Sequence, residues 1–313
     1  RAGNTLKGEL GTDSTGASCY IITGTNSNIS GWSSIKKSSA SCTTIPAVST
    51  ASDCTYDGDL TIEGTSKTLS YCGITGTLTI KSSYISAPSL TQVGGLTMEG
   101  SNGSADLVAP QLAEVRGTLT VGEGAAGSIR NESLTRVYGS IHAPSGINIG
   151  LSALTTVDGD ITVEGGSRSG SSGITYATSF EAPALTTVGG DITIGGDLIT
   201  PALTTVHDLT LTDPAGNNFE GITTVEGDLT IKGGLSSPTL TTVKGDMIVE
   251  KSSAFSALTT VEGDLTSQGD LTVEKLTTVG GTLTTEQGYA PSLTTVGTVA
   301  SLGTLYAPKL EVK

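Results

Sequence analysis

The chain has 313 residues, enough for one large domain or two ordinary ones. Its net charge of −14 argues against nucleic acid and anionic lipid as partners, because like charges repel. Aromatic residues make up only 4% and charged residues 15%, while glycine reaches 43 residues, a composition that suits neither an acidic disordered tail nor an ordinary mixed core.

The first quarter of the chain contains all four cysteines: Cys19, Cys42, Cys54 and Cys72. An even, clustered set without C-x-x-C spacing predicts two disulfides and a secreted protein, with all three pairings open. A zinc site is the alternative, but the spacings of 23, 12 and 18 residues fit no common zinc finger. We therefore predict a disulfide-stapled cap over residues 1–56 and a repetitive rod over residues 57–313.

Three N-x-S sequons, at Asn28, Asn102 and Asn131, agree with secretion and mark candidate glycosylation sites. The chain begins at Arg1 without a leader, so we expect a mature or trimmed form. No run of about 20 apolar residues is present, and we expect no transmembrane segment in this chain.

A short phrase, L-T-T-V followed by G-D and an alternating triplet, recurs through most of the chain. Its starts are Leu90, Leu112, Leu134, Leu154, Leu185, Leu203, Ile222, Leu240, Leu258, Leu276, Leu293 and Leu310. All but one of the intervals are between 17 and 22 residues, and the exception is 31. "YDGDLTIEG" at 56–64 and "ITGTLTIKS" at 74–82 look like two earlier, degenerate copies. A period of this length predicts a solenoid.

Each triplet, such as Ile192-Thr193-Ile194, alternates apolar and polar side chains with the period of a β-strand, and no segment sustains a helical period. Stacking the copies would bury about four apolar side chains per coil. We predict a right-handed parallel β-helix of about thirteen coils. A leucine-rich repeat horseshoe is the alternative, but its convex helix and asparagine ladder are missing.

The alternating triplets place a threonine column on the outside of the rod. Its members are Thr61, Thr79, Thr97, Thr120, Thr162, Thr193, Thr210, Thr230, Thr266 and Thr284, interrupted by His142 and Ile248. The simplest explanation is structural, because threonine suits exposed strands and stacks on itself. O-linked glycan attachment and ice binding are alternatives. Ice binding would prefer two threonine columns, whereas the neighbouring column is mostly aspartate.

That neighbouring column contains Asp191, Asp208, Asp228, Asp246 and Asp264 in five consecutive coils. We expect each carboxylate to accept backbone N–H groups at the corner that follows glycine. Cation binding along the stack and polysaccharide cleavage by paired carboxylates are the alternatives. No lysine, arginine or histidine is expected to join this column, which disfavours cleavage.

The other candidates for chemistry are few. His142 and His207 each occupy a repeat position, without a cysteine or serine neighbour of catalytic type. The segment 164–173, "EGGSRSGSSG", lies inside the single 31-residue interval and is typical of a loop that bulges from one coil, not of a phosphate-binding loop. We predict no catalytic residue, no metal site and no cofactor.

"CTYDGDLTIEG" from Cys54, followed by serial "LTTVGGDLTI"-like coils, resembles the fungal GPI-anchored cell-wall organisation proteins built on a receptor L-domain-like β-helix. The resemblance covers roughly residues 42–313. It implies a secreted, glycosylated, non-enzymatic protein that supports wall integrity. Members of that family usually continue into a Ser/Thr-rich stalk and a lipid-anchor signal, neither of which this sequence contains.

The sequence thus predicts a structural glycoprotein of the cell wall or extracellular surface. The alternative is a carbohydrate- or ice-binding module that uses the threonine column. The expected partners are cell-wall polysaccharide or a second copy, because "SLGTLYAPKLEVK" keeps the repeat at the end of the sequence. Stacking of residues near 296–313 on the N-terminal head of a neighbour would be heterologous and would build a filament.

Overall fold

The structure of the protein is a computed structural model. It describes residues 54–311, except 65, 83, 100–105, 123–126, 166–167, 170–174, 177, 213–214 and 219, together with three N-terminal strands at Lys7–Asp13, Ser18–Thr23 and Cys42–Thr43. The described residues form an all-β structure without a helix, in which parallel strands stack as a β-solenoid of about 12 turns. The predicted fold class is confirmed, with about one turn fewer than expected.

Each turn contributes up to three strands, which stack on their counterparts in the next turn as three strand columns. The first column holds the last two residues of the L-T-T-V phrase or their equivalents: Thr55–Tyr56, Glu114–Val115, Arg136–Val137, Thr156–Val157, Thr187–Val188, Thr205–Val206, Thr224–Val225, Thr242–Val243 and Thr260–Val261. The second holds the alternating triplet: Leu60–Gly64, Leu119–Val121, Ile141–Ala143, Ile161–Val163, Ile192–Ile194, Leu209–Leu211, Leu229–Ile231 and Met247–Val249.

The third column is formed by the variable links between phrases: Lys67–Thr68, Tyr84–Ser86, Asp106–Val108, Gly127–Arg130, Ile147–Gly150, Ser179–Glu181, Asp197–Ile199, Ala215–Asn218, Gly234–Ser237 and Ser253–Phe255. Five longer strands run through two or three columns: Gly73–Ser82, Gln92–Met98, Leu265–Thr272, Thr278–Tyr289 and Thr295–Tyr306. Pairing within every column is parallel and brings equivalent repeat positions side by side, as in Leu209 with Leu229 and Leu229 with Met247.

The core is a set of apolar stacks along the inside of the solenoid. Every phrase start from Leu90 to Leu293 is buried, and Leu310 is partly buried against the same core. In the second column the alternation is as predicted: Leu229 and Ile231 are 1% and 0% exposed, while Thr230 between them faces outward. Parallel pairing in register therefore converts the 17–22-residue period into continuous apolar stacks.

Two features lie outside the regular coils. The N-terminal strands Lys7–Asp13, Ser18–Thr23 and Cys42–Thr43 form a separate antiparallel sheet. The 31-residue interval contains the antiparallel pair Arg168–Ser169 and Thr175–Tyr176, so the predicted bulge includes a short hairpin-like pairing. Insertions of this kind lengthen one turn without shifting the register of its neighbours.

A disulfide joins Cys54 to Cys72, with a Cα–Cα distance of 5.2 Å. It links the first two coils, where the Cys72 backbone N–H also donates to the Cys54 carbonyl at 2.9 Å. The side chains of Cys19 and Cys42 lie outside the described residues. One of the two predicted disulfides is therefore located, and it fastens the start of the rod.

Candidate functional site

The most regular polar feature is an aspartate ladder, consisting of Asp160, Asp191, Asp208, Asp228, Asp246 and Asp264. In each step one carboxylate oxygen accepts the backbone N–H of the equivalent residue in the next coil; the N–O distance is 2.8 Å from Asp228 to Asp208 and from Asp246 to Asp228. The same bond joins the remaining members and ends at the N–H of Thr282, at 2.6 Å. The carboxylates accept backbone N–H groups as expected, but these groups belong to the next coil.

The ladder explains why glycine precedes aspartate in the phrase. A Cβ placed on Gly227 would contact the Oδ1 atom of Asp208, and one placed on Gly245 would contact the Oδ1 atom of Asp228. The carboxylate of one coil thus occupies the space that a side chain in the next coil would need. Gly-Asp is a two-coil motif, which the spacing within a single phrase does not reveal.

The threonine column predicted from the triplets is present and in register, for example Thr193 with Thr210 and Thr210 with Thr230. His142 pairs in register with Thr120 and Thr162 and is exposed. Its ring therefore lies beside threonines in both adjacent coils, which supplies no partner for acid–base chemistry.

A second threonine array comes from the two threonines of L-T-T-V. Eight consecutive coils carry a Thr-Thr pair: Thr155–Thr156, Thr186–Thr187, Thr204–Thr205, Thr223–Thr224, Thr241–Thr242, Thr259–Thr260, Thr277–Thr278 and Thr294–Thr295. In these threonine-pair columns, the first hydroxyl of seven of the eight pairs donates to the backbone carbonyl of the preceding coil, as from Thr241 to Thr223 at 2.9 Å. The second threonines pair in register, as Thr242 does with Thr260.

The alternation of the triplets does not reveal this array, because both threonines lie in the L-T-T-V segment and not in the triplet. All sixteen side chains are exposed or half-buried. The chain therefore does present two adjacent threonine columns on one side. Ice binding would prefer this arrangement, which was not expected from the sequence because aspartates lie beside the column of the triplets.

The aspartate ladder differs at one step, where His207 lies beside two of its carboxylates. The Nδ1 atom of His207 lies 2.7 Å from Oδ1 of Asp191 and 3.6 Å from Oδ1 of Asp208. The expectation that no histidine joins this column is wrong. The hydrogen bond to Asp191, followed by the charge of Asp208, raises the pKa of His207, and the same hydrogen bond lowers the pKa of the Asp191 carboxyl.

Further ion pairs join neighbouring coils on the exposed surface, among them Lys81 with Glu99 at 3.3 Å. The Arg136 guanidinium donates to both carboxylate oxygens of Asp158, at 3.0 and 2.8 Å, and lies 4.3 Å from the centre of the Tyr138 ring. Lys244 pairs with Glu226, and this hydrogen bond raises the pKa of Lys244. Such exposed pairs contribute little to stability, and each is accounted for without a ligand.

Of the three candidate glycosylation sites, Asn28 and Asn102 lie outside the described residues. The Asn131 amide is half-buried: its nitrogen donates to the Ala109 carbonyl at 3.2 Å, and its oxygen accepts the N–H groups of Ser133 and Leu134. Asn131 also borders a small, partly open pocket of about 20 Å³ with Met98 and Leu134. That space holds about one water molecule, so it is no substrate site.

No family model, curated protein or solved structure matches the chain. In the part of the chain that the structure describes, no helix has the length and apolarity needed to cross a membrane. The arguments about function therefore rest on the geometry of the described residues.

Proposed function

We propose that this chain is a secreted, non-enzymatic structural glycoprotein of a cell wall or another extracellular surface. The observation that carries the proposal is that the most regular polar side chains are hydrogen-bonded within the rod. The aspartate ladder and the first threonines of the L-T-T-V phrases bind the backbone of the adjacent coil. A repeat whose polar groups fasten one coil to the next favours rigidity over turnover of a substrate.

Two further observations support an extracellular role. The Cys54–Cys72 disulfide is typical of oxidising compartments. The resemblance of the repeat phrase to fungal GPI-anchored cell-wall organisation proteins suggests the same setting and makes wall polysaccharide the preferred partner. Head-to-tail stacking of copies into a filament is part of the same proposal, since a solenoid coil pairs readily with another coil of its own kind.

A complementation experiment tests the non-enzymatic role. The gene is deleted in the producing cell, and sensitivity to wall-perturbing dye is measured after return of each variant. We expect the double variant His142→Ala, His207→Ala to restore resistance as the unmodified chain does, because both imidazoles are exposed and lie outside the core. Leu229→Asp, which breaks the core, should fail. Failure of the histidine variant at normal protein level and normal circular dichroism would refute the proposal.

The threonine-pair columns favour a second candidate, binding to a regular surface such as ice or crystalline polysaccharide. Hydroxyls repeat at about the strand spacing of 4.8 Å over eight coils. In seven of the eight pairs the first hydroxyl is fixed by its bond to a carbonyl. Thermal hysteresis and glucan pull-down test this candidate. Thr242→Lys should abolish such binding, whereas Thr230→Lys in the other column should leave it unchanged; the absence of both activities in the unmodified chain would exclude it.

A further inference from the structure

The coil that begins at Leu203 is one residue shorter at its corner than the coils beside it. Its neighbours have Val-Gly-Gly-Asp at 188–191 and Val-Glu-Gly-Asp at 225–228, while this coil has only Val-His-Asp at 206–208. The glycine that elsewhere faces the carboxylate of the preceding coil is therefore missing. In its place an imidazole reaches the Asp191 carboxylate.

This substitution brings a nitrogen ligand to a column that otherwise offers only oxygen. One ligand atom each from Asp191, His207 and Asp208 lies within 4.8 Å of the other two. We propose that Asp191, His207 and Asp208 form a binding site for a divalent first-row transition-metal ion, with zinc as the representative. The site does not depend on the proposed structural function.

Two of the three distances between ligand atoms lie close to those of such a site, and the third is within 4.8 Å. Metal–ligand distances of about 2.1 Å place neighbouring ligand atoms of a tetrahedral site about 3.4 Å apart. His207 Nδ1 lies 2.7 Å from Asp191 and 3.6 Å from Asp208, which brackets that value. The His207 side chain is 63% exposed, so the ring can shift outward and let an ion take the place of the shared proton.

The ligand set also decides the class of ion. Imidazole favours zinc and its neighbours, whereas calcium requires six or more oxygen ligands. Two carboxylates and one neutral imidazole balance a doubly charged cation, and a water molecule completes the coordination. The other steps of the ladder present the same carboxylates without an imidazole, which makes them internal controls.

Protons compete with the ion for this site. The hydrogen bond to Asp191 raises the pKa of His207, and a metal binds only the deprotonated nitrogen. The ion must therefore displace the proton that His207 shares with Asp191. Glu226 of the next coil adds to the negative potential around the ring, although it is paired with Lys244.

Isothermal titration calorimetry with zinc chloride tests the site on the untagged, full, chelator-treated chain at neutral pH. We expect saturable binding of a single ion. His207→Ala should weaken the affinity about tenfold or more, and Asp191→Asn should weaken it in the same direction while its amide oxygen still accepts the Asp208 N–H. His142→Ala and Asp246→Asn are the matched controls and should bind as the unmodified chain does.

The proposal is overturned if the unmodified chain gives no saturable heat with zinc, or if His207→Ala binds zinc with unchanged affinity. Calcium titrated under the same conditions should give no comparable binding. If calcium binds, and His207→Ala binds it as tightly as the unmodified chain does, the carboxylates alone hold ions. Circular dichroism checks the folding of each variant. If His207→Ala unfolds, Asp191→Asn compared with Asp246→Asn decides the question.

Discussion

Replacement of Gly227 by alanine should break one step of the aspartate ladder. The new Cβ would contact Asp208 Oδ1 and come within 3.0 Å of its Cγ, while the next nearest atom, the His207 carbonyl oxygen, is at 3.6 Å. The carboxylate alone therefore obstructs the methyl group. It must move away from the Asp228 N–H, which it accepts at 2.8 Å.

The size of the effect follows from two opposing contributions. A hydrogen bond to a charged group contributes about 1.5–3 kcal/mol, and the partial exposure of this step favours the lower end. Glycine-to-alanine exchange returns about 0.4–1 kcal/mol by restricting the unfolded chain, because the φ angle of Gly227 is not in the left-handed region. We expect Gly227→Ala to lower the free energy of unfolding by about 1 kcal/mol.

A double-mutant cycle with Asp208→Ala isolates the cause. Asp208→Ala removes the same bond and should cost about 1–2 kcal/mol by itself. In that background Gly227→Ala has nothing to displace, so it should be neutral or slightly stabilising. Urea unfolding followed by circular dichroism, in the presence of chelator, measures all four proteins.

Gly150→Ala provides the control, since its Cβ would meet only ordinary contacts at 3.6 and 3.9 Å. It should not destabilise the protein. The reasoning is refuted if Gly227→Ala lowers stability equally with and without the Asp208 carboxylate.

Three other changes test different parts of the structure. Leu229→Asp should cost at least about 4 kcal/mol because it buries an unpaired carboxylate, whereas Thr230→Asp on the outer side should cost less than about 1 kcal/mol. Similar melting temperatures for the two variants would contradict the placement of Leu229 inside and Thr230 outside. Replacing both Cys54 and Cys72 by serine should cost about 2–4 kcal/mol, since the disulfide closes a loop between residues 18 apart, and an unchanged urea midpoint would contradict this. The pKa of His207 is raised in the folded protein, so its stabilisation is complete below the pKa of the unfolded chain, near 6.5, and disappears as the pH rises through the folded value. The gap in melting temperature between the unmodified chain and His207→Ala should therefore be larger at about pH 5.5 than at about pH 8.5, and the opposite trend would refute the ion pair with Asp191.

The fold could be predicted from the sequence because one signal repeats many times. Each phrase carries a two-residue alternation, and its recurrence at 17–22 residues fixes which residues stack, as Leu229 does on Leu209. Thr230 and its counterparts were placed on the outside by the same alternation. Periodicity specifies inside and outside wherever one side of a strand is buried.

The candidate site could be predicted only in part, because its contacts run between coils. Asp208 was expected to bind backbone N–H groups near its own corner, yet its acceptor role is directed to Asp228 in the next coil. The pairing of His207 with Asp191 could be predicted only if the coils were known to stay in register despite the one-residue deletion. Comparing each phrase with the next, position by position, would have revealed that the glycine before Asp208 is missing.

Intact mass of the native protein, measured with its location in the producing cell, tests the structural role most directly. Fractions of wall, membrane, cytosol and medium are compared before and after deglycosylation. We expect the protein in the wall or medium, with a mass that exceeds the bare 31.4 kDa and falls after deglycosylation. A cytosolic protein with the bare mass would contradict the proposal that this solenoid is a secreted structural glycoprotein.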